Sequence, residues 1–164
     1  MSRCDSASNF SRVSIAAALL FFLIFAAYCN TFDSEWQFDD KPNILNNNYL
    51  HIRNLEPESL VQTFFTNPSK PAQIGEKLYR PIAFLTFSIN WYLGKDKVFG
   101  YHIVNLLIHF LTTIFLFMAI LNLLGAPNLR DKFDKNKYFV AFLSAALWAI
   151  NPIQTQAVTY IVQR

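Results

Sequence analysis

The sequence predicts an α-helical integral membrane protein, and three observations carry that reading. Apolar side chains make up 53% of the chain against 15% charged, with 17 phenylalanines, a balance unlike that of a soluble domain. The apolar residues are clustered rather than dispersed. Two of the clusters, residues 13–29 and 102–124, contain no Lys, Arg, Asp or Glu.

Residues 1–12 form a short polar tail with Arg3 and Arg12. Residues 13–29, "VSIAAALLFFLIFAAYC", follow as a 17-residue apolar run, at the lower limit for a helix crossing roughly 30 Å of hydrocarbon. A basic start, an apolar run and Ala26-Ala27 also describe a secretory signal peptide. Tyr28-Cys29-Asn30 is a poor small-residue cleavage site and the run is long for such a leader, so a retained anchor is expected.

Residues 30–101 form a long loop outside the membrane. It opens with "EWQFDDKPNI", in which two adjacent acids, Asp39 and Asp40, stand about ten residues beyond the apolar run. The Pro and Asn content of "KPNILNNNYLHIRNL" reads as ordered turns. Pro57 then begins a short amphipathic helix near 57–66, with Leu60, Val61, Phe64 and Phe65 on one stripe. A second, near 81–93, opens at Arg80-Pro81 and is apolar on nearly all sides. It is too short to span, and Trp91 and Tyr92 near its end suit the interface or a position packed under the loop.

Residues 102–124 form the clearest transmembrane helix, 23 residues long. His102, Asn105 and His109 recur at i, i+3 and i+7, so they share one face. Such a stripe either makes interhelical hydrogen bonds or lines a cavity. Two His about two turns apart, roughly 10 Å along the axis, do not share one zinc ion, and no metal site is expected. Residues 125–137 form a short loop with Arg130, Lys132, Lys135 and Lys137. Residues 138–164 begin as an apolar helix of 13 residues that meets Asn151-Pro152, where a kink or an end is expected.

The basic residues orient the chain. The tail and the 125–137 loop are dense in Lys and Arg, whereas residues 30–101 hold seven Lys or Arg against eight Asp or Glu. The positive-inside rule therefore makes the N-terminus cytoplasmic and residues 30–101 external. Cys4 and Cys29 lie at opposite ends of the first helix, which disfavours a disulfide. The net charge of +3 follows the topology; no basic stripe interleaved with aromatics points to nucleic acid.

Four stretches, "FDDKPNILNN", "YRPIAFLTFSINWYLG", "FGYHIVNLLIHF" and "NPIQTQAVTYIVQR", occur in an order that resembles the N-terminal part of bacterial multi-spanning proteins. These are the protein O-mannosyltransferase-like branch of the GT-C glycosyltransferases, often fused to tetratricopeptide repeats. The resemblance covers residues 13 to 164. It implies a GT-C-like fold in the bacterial inner membrane, a polyprenyl-phosphate-linked sugar as donor, and a protein or glycan hydroxyl as acceptor.

It further implies that Asp39 is a catalytic base and Asp40 its partner, close to the membrane surface where the donor's phosphate and sugar emerge. A carboxylate there can take the proton of the attacking hydroxyl. Arg80, within "YRP" beside Tyr79, suits a lipid phosphate because its guanidinium offers a fork of donors and keeps its charge. His102 and Asn105 match the family's "YH-x-x-N" pattern and, with Tyr79, Arg80 and Gln154, are candidate substrate-binding residues. Asn151, Gln154 and Gln156 replace the His and Glu frequent in relatives, which leaves that motif hydrogen bonding rather than proton transfer. A divalent cation, Mg²⁺ or Mn²⁺, is a candidate cofactor only with ligands beyond the acidic pair.

Enzymes of this kind have more spanning helices, so the chain is expected to be the N-terminal portion of a longer protein and inactive alone. Two functional classes stay open: a glycosyltransferase module, and a non-catalytic membrane scaffold that assembles partners through C-terminal repeats. A transporter fragment is a minor third.

Overall fold

All regular structure among the described residues is helical. The structure, a computed structural model, describes residues 3–64 and 80–164, with side chains described from Asn9 onward. Seven α-helices are described: α1 (Arg3–Tyr28), α2 (Pro57–Gln62), α3 (Pro81–Gly94), α4 (Val98–Leu124), α5 (Pro127–Phe133), α6 (Lys137–Ala149) and α7 (Thr155–Thr159). The chain is an α-helical membrane protein, with two helical stretches, Asn9–Asp33 and Val98–Leu124, long and apolar enough to cross a bilayer.

Helical structure extends beyond the apolar runs that hydropathy picks out. α1 begins at Arg3, ten residues before Val13, because polar residues such as Ser and Asn continue backbone hydrogen bonding without contributing to an apolar count. α5 forms within the 125–137 loop. Pro127 stands at its first turn, where the missing N–H is no loss, and Arg130 and Lys132 lie in its last turn, at the negative end of the helix dipole. The "KPNILNNNYL" stretch holds one turn of π-helix, Lys41–Leu45, and one 3-10 turn, Asn48–Leu50, the latter capped by Asn47 accepting from the Tyr49 N–H. The helix expected near 57–66 is described over Pro57–Gln62, and its last two positions lie outside the described residues.

The chain forms two compact units. The first combines residues 1–30 with 106–158. Its core is Ala16 and Leu20 of α1, Phe117 of α4, and Ala141, Ala145 and Ala146 of α6. Alanines four apart on α6 remove side-chain bulk and let a neighbouring helix approach closely, the usual packing device between apolar helices. A second cluster joins Ile24 and Tyr28 to Ala149 and Val158.

α6 stops where proline demands it, and the unit satisfies the carbonyl left behind. The Ile153 N–H would be the next donor to the Ala149 carbonyl, but it donates to Asn151 Oδ1 at 3.1 Å. The Ala149 oxygen instead accepts from the Tyr28 hydroxyl at 2.9 Å and from His109 Nε2 at 3.0 Å. His109 is also stacked on Trp148 and edge-on to Tyr28. In an apolar medium an unpaired carbonyl costs several kcal/mol, which gives His109 a structural task.

The second unit combines residues 31–105 with 159–164. Ile44, Leu50, Ala83, Phe87, Tyr101 and Ile161 form its core. α3 buries Ala83, Phe87 and Asn90 and exposes Ile82, Ile89 and Leu93. Lys95, at φ 57°, ends it by donating its N–H to the Trp91 carbonyl. His51 lies flat on Trp91, with ring centroids 3.4 Å apart, and its Nε2 bonds the Ile44 carbonyl.

Candidate functional site

The acidic pair lies in the second unit, and its two members have opposite surroundings. Residues 37–40 close into a tight turn: the Asp40 N–H donates to the Gln37 carbonyl at 2.8 Å, and the Gln37 N–H donates to Asp40 Oδ2 at 3.1 Å. The other carboxylate oxygen, Oδ1, accepts from the Val162 N–H at 2.8 Å. Asp40 is 1% exposed. Burial raises its carboxyl above the ordinary carboxylate range, and the backbone N–H groups of Gln37 and Val162 oppose that rise.

The closed turn pushes Phe38 and Asp39 to its tip. Phe38 adopts φ 30° and is 86% exposed, an unusual conformation for a bulky residue. Asp39 is held by its backbone: its N–H donates to the Tyr160 hydroxyl at 3.2 Å, and its carbonyl accepts from the Asn43 side-chain amide at 2.7 Å. Its exposed carboxylate makes no hydrogen bond or ion pair among the described residues.

Arg80 also meets Val162. Its guanidinium donates to the Val162 carbonyl at 3.1 Å, so Asp40 and Arg80 hold residue 162 by its N–H and its C=O. Residues 159–164 are further fixed by the Thr159 hydroxyl against that of Thr31 at 2.7 Å.

Arg164 is the residue that sequence reasoning missed. Its Nε donates to Asn105 Oδ1 at 2.7 Å, one terminal nitrogen to Thr86 Oγ1 at 3.0 Å and Asn90 Oδ1 at 2.9 Å, and the other to the Tyr101 carbonyl at 2.8 Å. The guanidinium also lies 4.8 Å from the centroid of the Phe87 ring. All four acceptors are neutral. Burial lowers the Arg164 pKa to about 10, still far above neutrality, so the charge persists and is spread over oxygen dipoles. Thr86 and Asn90, four apart on a mostly apolar α3, were the available signal.

The remaining candidates are distributed as follows. Asn105 is an Arg164 ligand in this network. His102 is fully buried in the second unit; Nε2 makes a long, 3.4 Å contact with the Ser34 carbonyl, and Nδ1 has no hydrogen-bond partner among the described residues. Gln154 belongs to the first unit, in the 3-10 turn Pro152–Gln154 after α6. Tyr79 lies outside the described residues. No group of three or more His, Cys, Asp or Glu able to hold a metal ion occurs among the described residues.

The chain is 31% identical over 160 residues, 95% of its length, to protein O-mannosyl-transferase TMTC3 of Mus musculus. It is 32% identical over 149 residues to protein O-mannosyl-transferase Tmtc3 of Drosophila melanogaster and 30% identical over 149 to protein O-mannosyl-transferase TMTC1 of Homo sapiens, matches that cover 84% and 91% of the chain. Its homologues are protein O-mannosyl-transferases. The chain spans 15%, 16% and 16% of the lengths of these three relatives. No family model and no solved structure matches it.

Chemically, the second unit presents the Asp39 carboxylate, without a partner among the described residues, at the tip of a braced turn. Asp40 and Arg80 are engaged with Val162, and a buried cation holds the carboxyl end of the same segment. An exposed, positioned carboxylate can accept a proton; a buried one with both oxygens occupied positions backbone instead.

Proposed function

We propose that this chain is part of a membrane glycosyltransferase that moves mannose from a polyprenyl-phosphate donor to a protein hydroxyl, with Asp39 as the general base. The observation that carries the reading is the division of labour within the acidic pair. Asp40 closes the turn and anchors residue 162, and Asp39 is left exposed with its backbone fixed and its carboxylate free. The homologues' names support the transferase class.

In this reaction the acceptor oxygen bonds to the anomeric carbon as the bond from that carbon to the phosphate oxygen breaks. The phosphate departs with the electron pair, and Asp39 takes the hydroxyl proton. Residues 30–101 then face outside and the basic 125–137 loop faces the cytoplasm, in the bacterial cell membrane that the sequence resemblance implies. Arg80, only partly buried and bonded to one carbonyl, keeps a charge that suits the phosphate of an anionic donor.

The test is transfer of radiolabelled mannose from polyprenyl-phosphate in membranes carrying the full-length protein, wild type against Asp39→Asn at matched levels. A general base contributes about 10²–10⁴ in rate, so the variant should fall at least about a hundredfold while remaining folded. Activity within threefold of wild type removes Asp39 as the base. A scaffold is the second reading, favoured by the engagement of Asp40 and Arg80 in binding the chain itself. It is supported if wild type, correctly inserted, transfers nothing from any donor tried.

A further inference from the structure

Charge in the first unit is confined to one end. Residues 13–30, 106–126 and 138–158 of that unit contain no Lys, Arg, Asp or Glu. Arg12 precedes the apolar part of α1; Arg130 and Lys132 lie on α5, just after α4 ends; Lys135 lies in the turn between α5 and α6, and Lys137 is the first residue of α6. Against these five cations stand two carboxylates, Asp131 and Asp134. The only ion pair at this end among the described residues joins Lys137 to Asp134 at 3.1 Å.

The cations are arranged around aromatic rings. Tyr138 has the Arg12 guanidinium 5.4 Å from its ring centroid and the Lys137 ammonium 5.8 Å away, and its hydroxyl donates to Asn9 Oδ1. This ties the start of α6 to α1 and fixes two of the charges. Arg130, Lys132 and Lys135 are exposed. At the same end of the unit Phe10, next to Asn9 on α1, is 76% and Phe139 on α6 66% exposed, a high exposure for rings unless an apolar phase receives them.

We propose that this end of the first unit is a binding surface for anionic phospholipid headgroups. Arg130, Lys132 and Lys135 are the contact cations, and Phe10 and Phe139 are seated at the level of the upper acyl chains. The membrane is the occupant because the apolar helices lead directly out of the patch. α4, at 27 residues, is about 40 Å long against roughly 30 Å of hydrocarbon, so its end and the cations that follow it lie at headgroup depth. Aromatic rings and cations at that depth are the combination an anionic interface selects.

Each cation near such a surface is worth about a fivefold change in affinity, so neutralising three should cost up to about a hundredfold. Native mass spectrometry of the chain in detergent measures this, comparing phosphatidylglycerol with phosphatidylcholine of equal chain length. Wild type should prefer phosphatidylglycerol by at least about tenfold, and Arg130→Gln/Lys132→Gln/Lys135→Gln should reduce the preference below about threefold. Lys95→Gln/Lys97→Gln, in the second unit, should leave it unchanged. The proposal is overturned if wild type shows no preference or if the triple variant keeps it. It is also overturned if glycerol phosphate at equal concentration displaces the lipid, which would assign the patch to free phosphate. Should the triple variant lose helix content, wild type in about 0.5 M salt is the substitute, since screening there acts within a few ångströms. An unchanged preference in that salt overturns the proposal.

Discussion

Neutralising the two adjacent aspartates should have unequal effects on stability, and Asp40→Asn is the informative change. Asp40 accepts two backbone N–H groups, from Val162 at 2.8 Å and Gln37 at 3.1 Å, one on each carboxylate oxygen. Hydrogen bonds to a charged group contribute about 1.5–3 kcal/mol each, and a buried donor left unpaired costs about 1–3 kcal/mol. An amide keeps one oxygen and turns an NH₂ toward the other backbone donor, so one bond is lost and one N–H is orphaned. Removing a buried charge returns part of that loss, because burial already disfavours the ionised form of Asp40. The net cost of Asp40→Asn should be about 1–3 kcal/mol. Asp39→Asn, at an exposed carboxylate without partners among the described residues, should stay within about 0.5 kcal/mol.

The assay is reversible unfolding in mixed micelles, followed by tryptophan fluorescence. Trp36 and Trp91 both report on the second unit. The reasoning is refuted if Asp40→Asn is as stable as wild type, or if Asp39→Asn costs as much as Asp40→Asn. In either case the crossed bonds of the 37–40 turn would not be what holds Asp39 in place.

The same unfolding assay run against pH should separate two groups of opposite sign. The Asp40 carboxyl is raised in the folded state, so its contribution is greatest below about 3.8, the ordinary value, and is lost as pH rises through the folded value; Asp40→Asn should remove that fall. His51 is lowered by burial against its neighbours, the Ile44 carbonyl bond opposing, so stability should be full above pH 6.5 and be lost as pH falls through the folded value. His51→Phe should flatten that second slope while keeping a ring on Trp91. In the first unit, Tyr28→Phe should cost about 1 kcal/mol by removing a donor from the Ala149 carbonyl. Tyr28→Phe combined with His109→Phe should cost more than the two singles added, because only the double variant leaves that oxygen with neither donor; strict additivity in a double-mutant cycle would show that the two donors act independently.

The long apolar helices were legible because crossing hydrocarbon leaves a compositional trace in every residue of the span. α5 was not, since the 125–137 loop was read for charge, although Pro127 offered a start signal. The adjacent acids were legible as a pair, but not their division. That depends on Val162, more than 120 positions away in sequence, arriving beside Asp40 and leaving Asp39 alone. Arg164 was illegible for the same reason: its acceptors are scattered as Thr86, Asn90, Tyr101 and Asn105, and local sequence carries no record of such a meeting. Asn105 and His109 form one polar stripe in sequence, yet one serves the Arg164 network and the other the Ala149 carbonyl.

Adjacency of the two acids is itself a positioning device. Successive residues in a tight turn point in different directions, so a carboxylate that faces inward and binds the turn's own first N–H forces its predecessor outward. Here that predecessor follows Phe38 at φ 30°, a strained conformation costing of order 1–3 kcal/mol that persists only where surrounding bonds over-determine it. The bonds between Gln37 and Asp40, and from the Val162 N–H to the Asp40 carboxylate, supply that constraint. The buried acid therefore bears the desolvation cost and Phe38 the strain, while the exposed acid bears neither and stays open to solvent. A single aspartate on a flexible loop would have the second property without the first. Under the proposed function, pairing them gives a free carboxylate whose backbone does not have to be ordered when an acceptor arrives, which is the form in which orientation contributes most to rate.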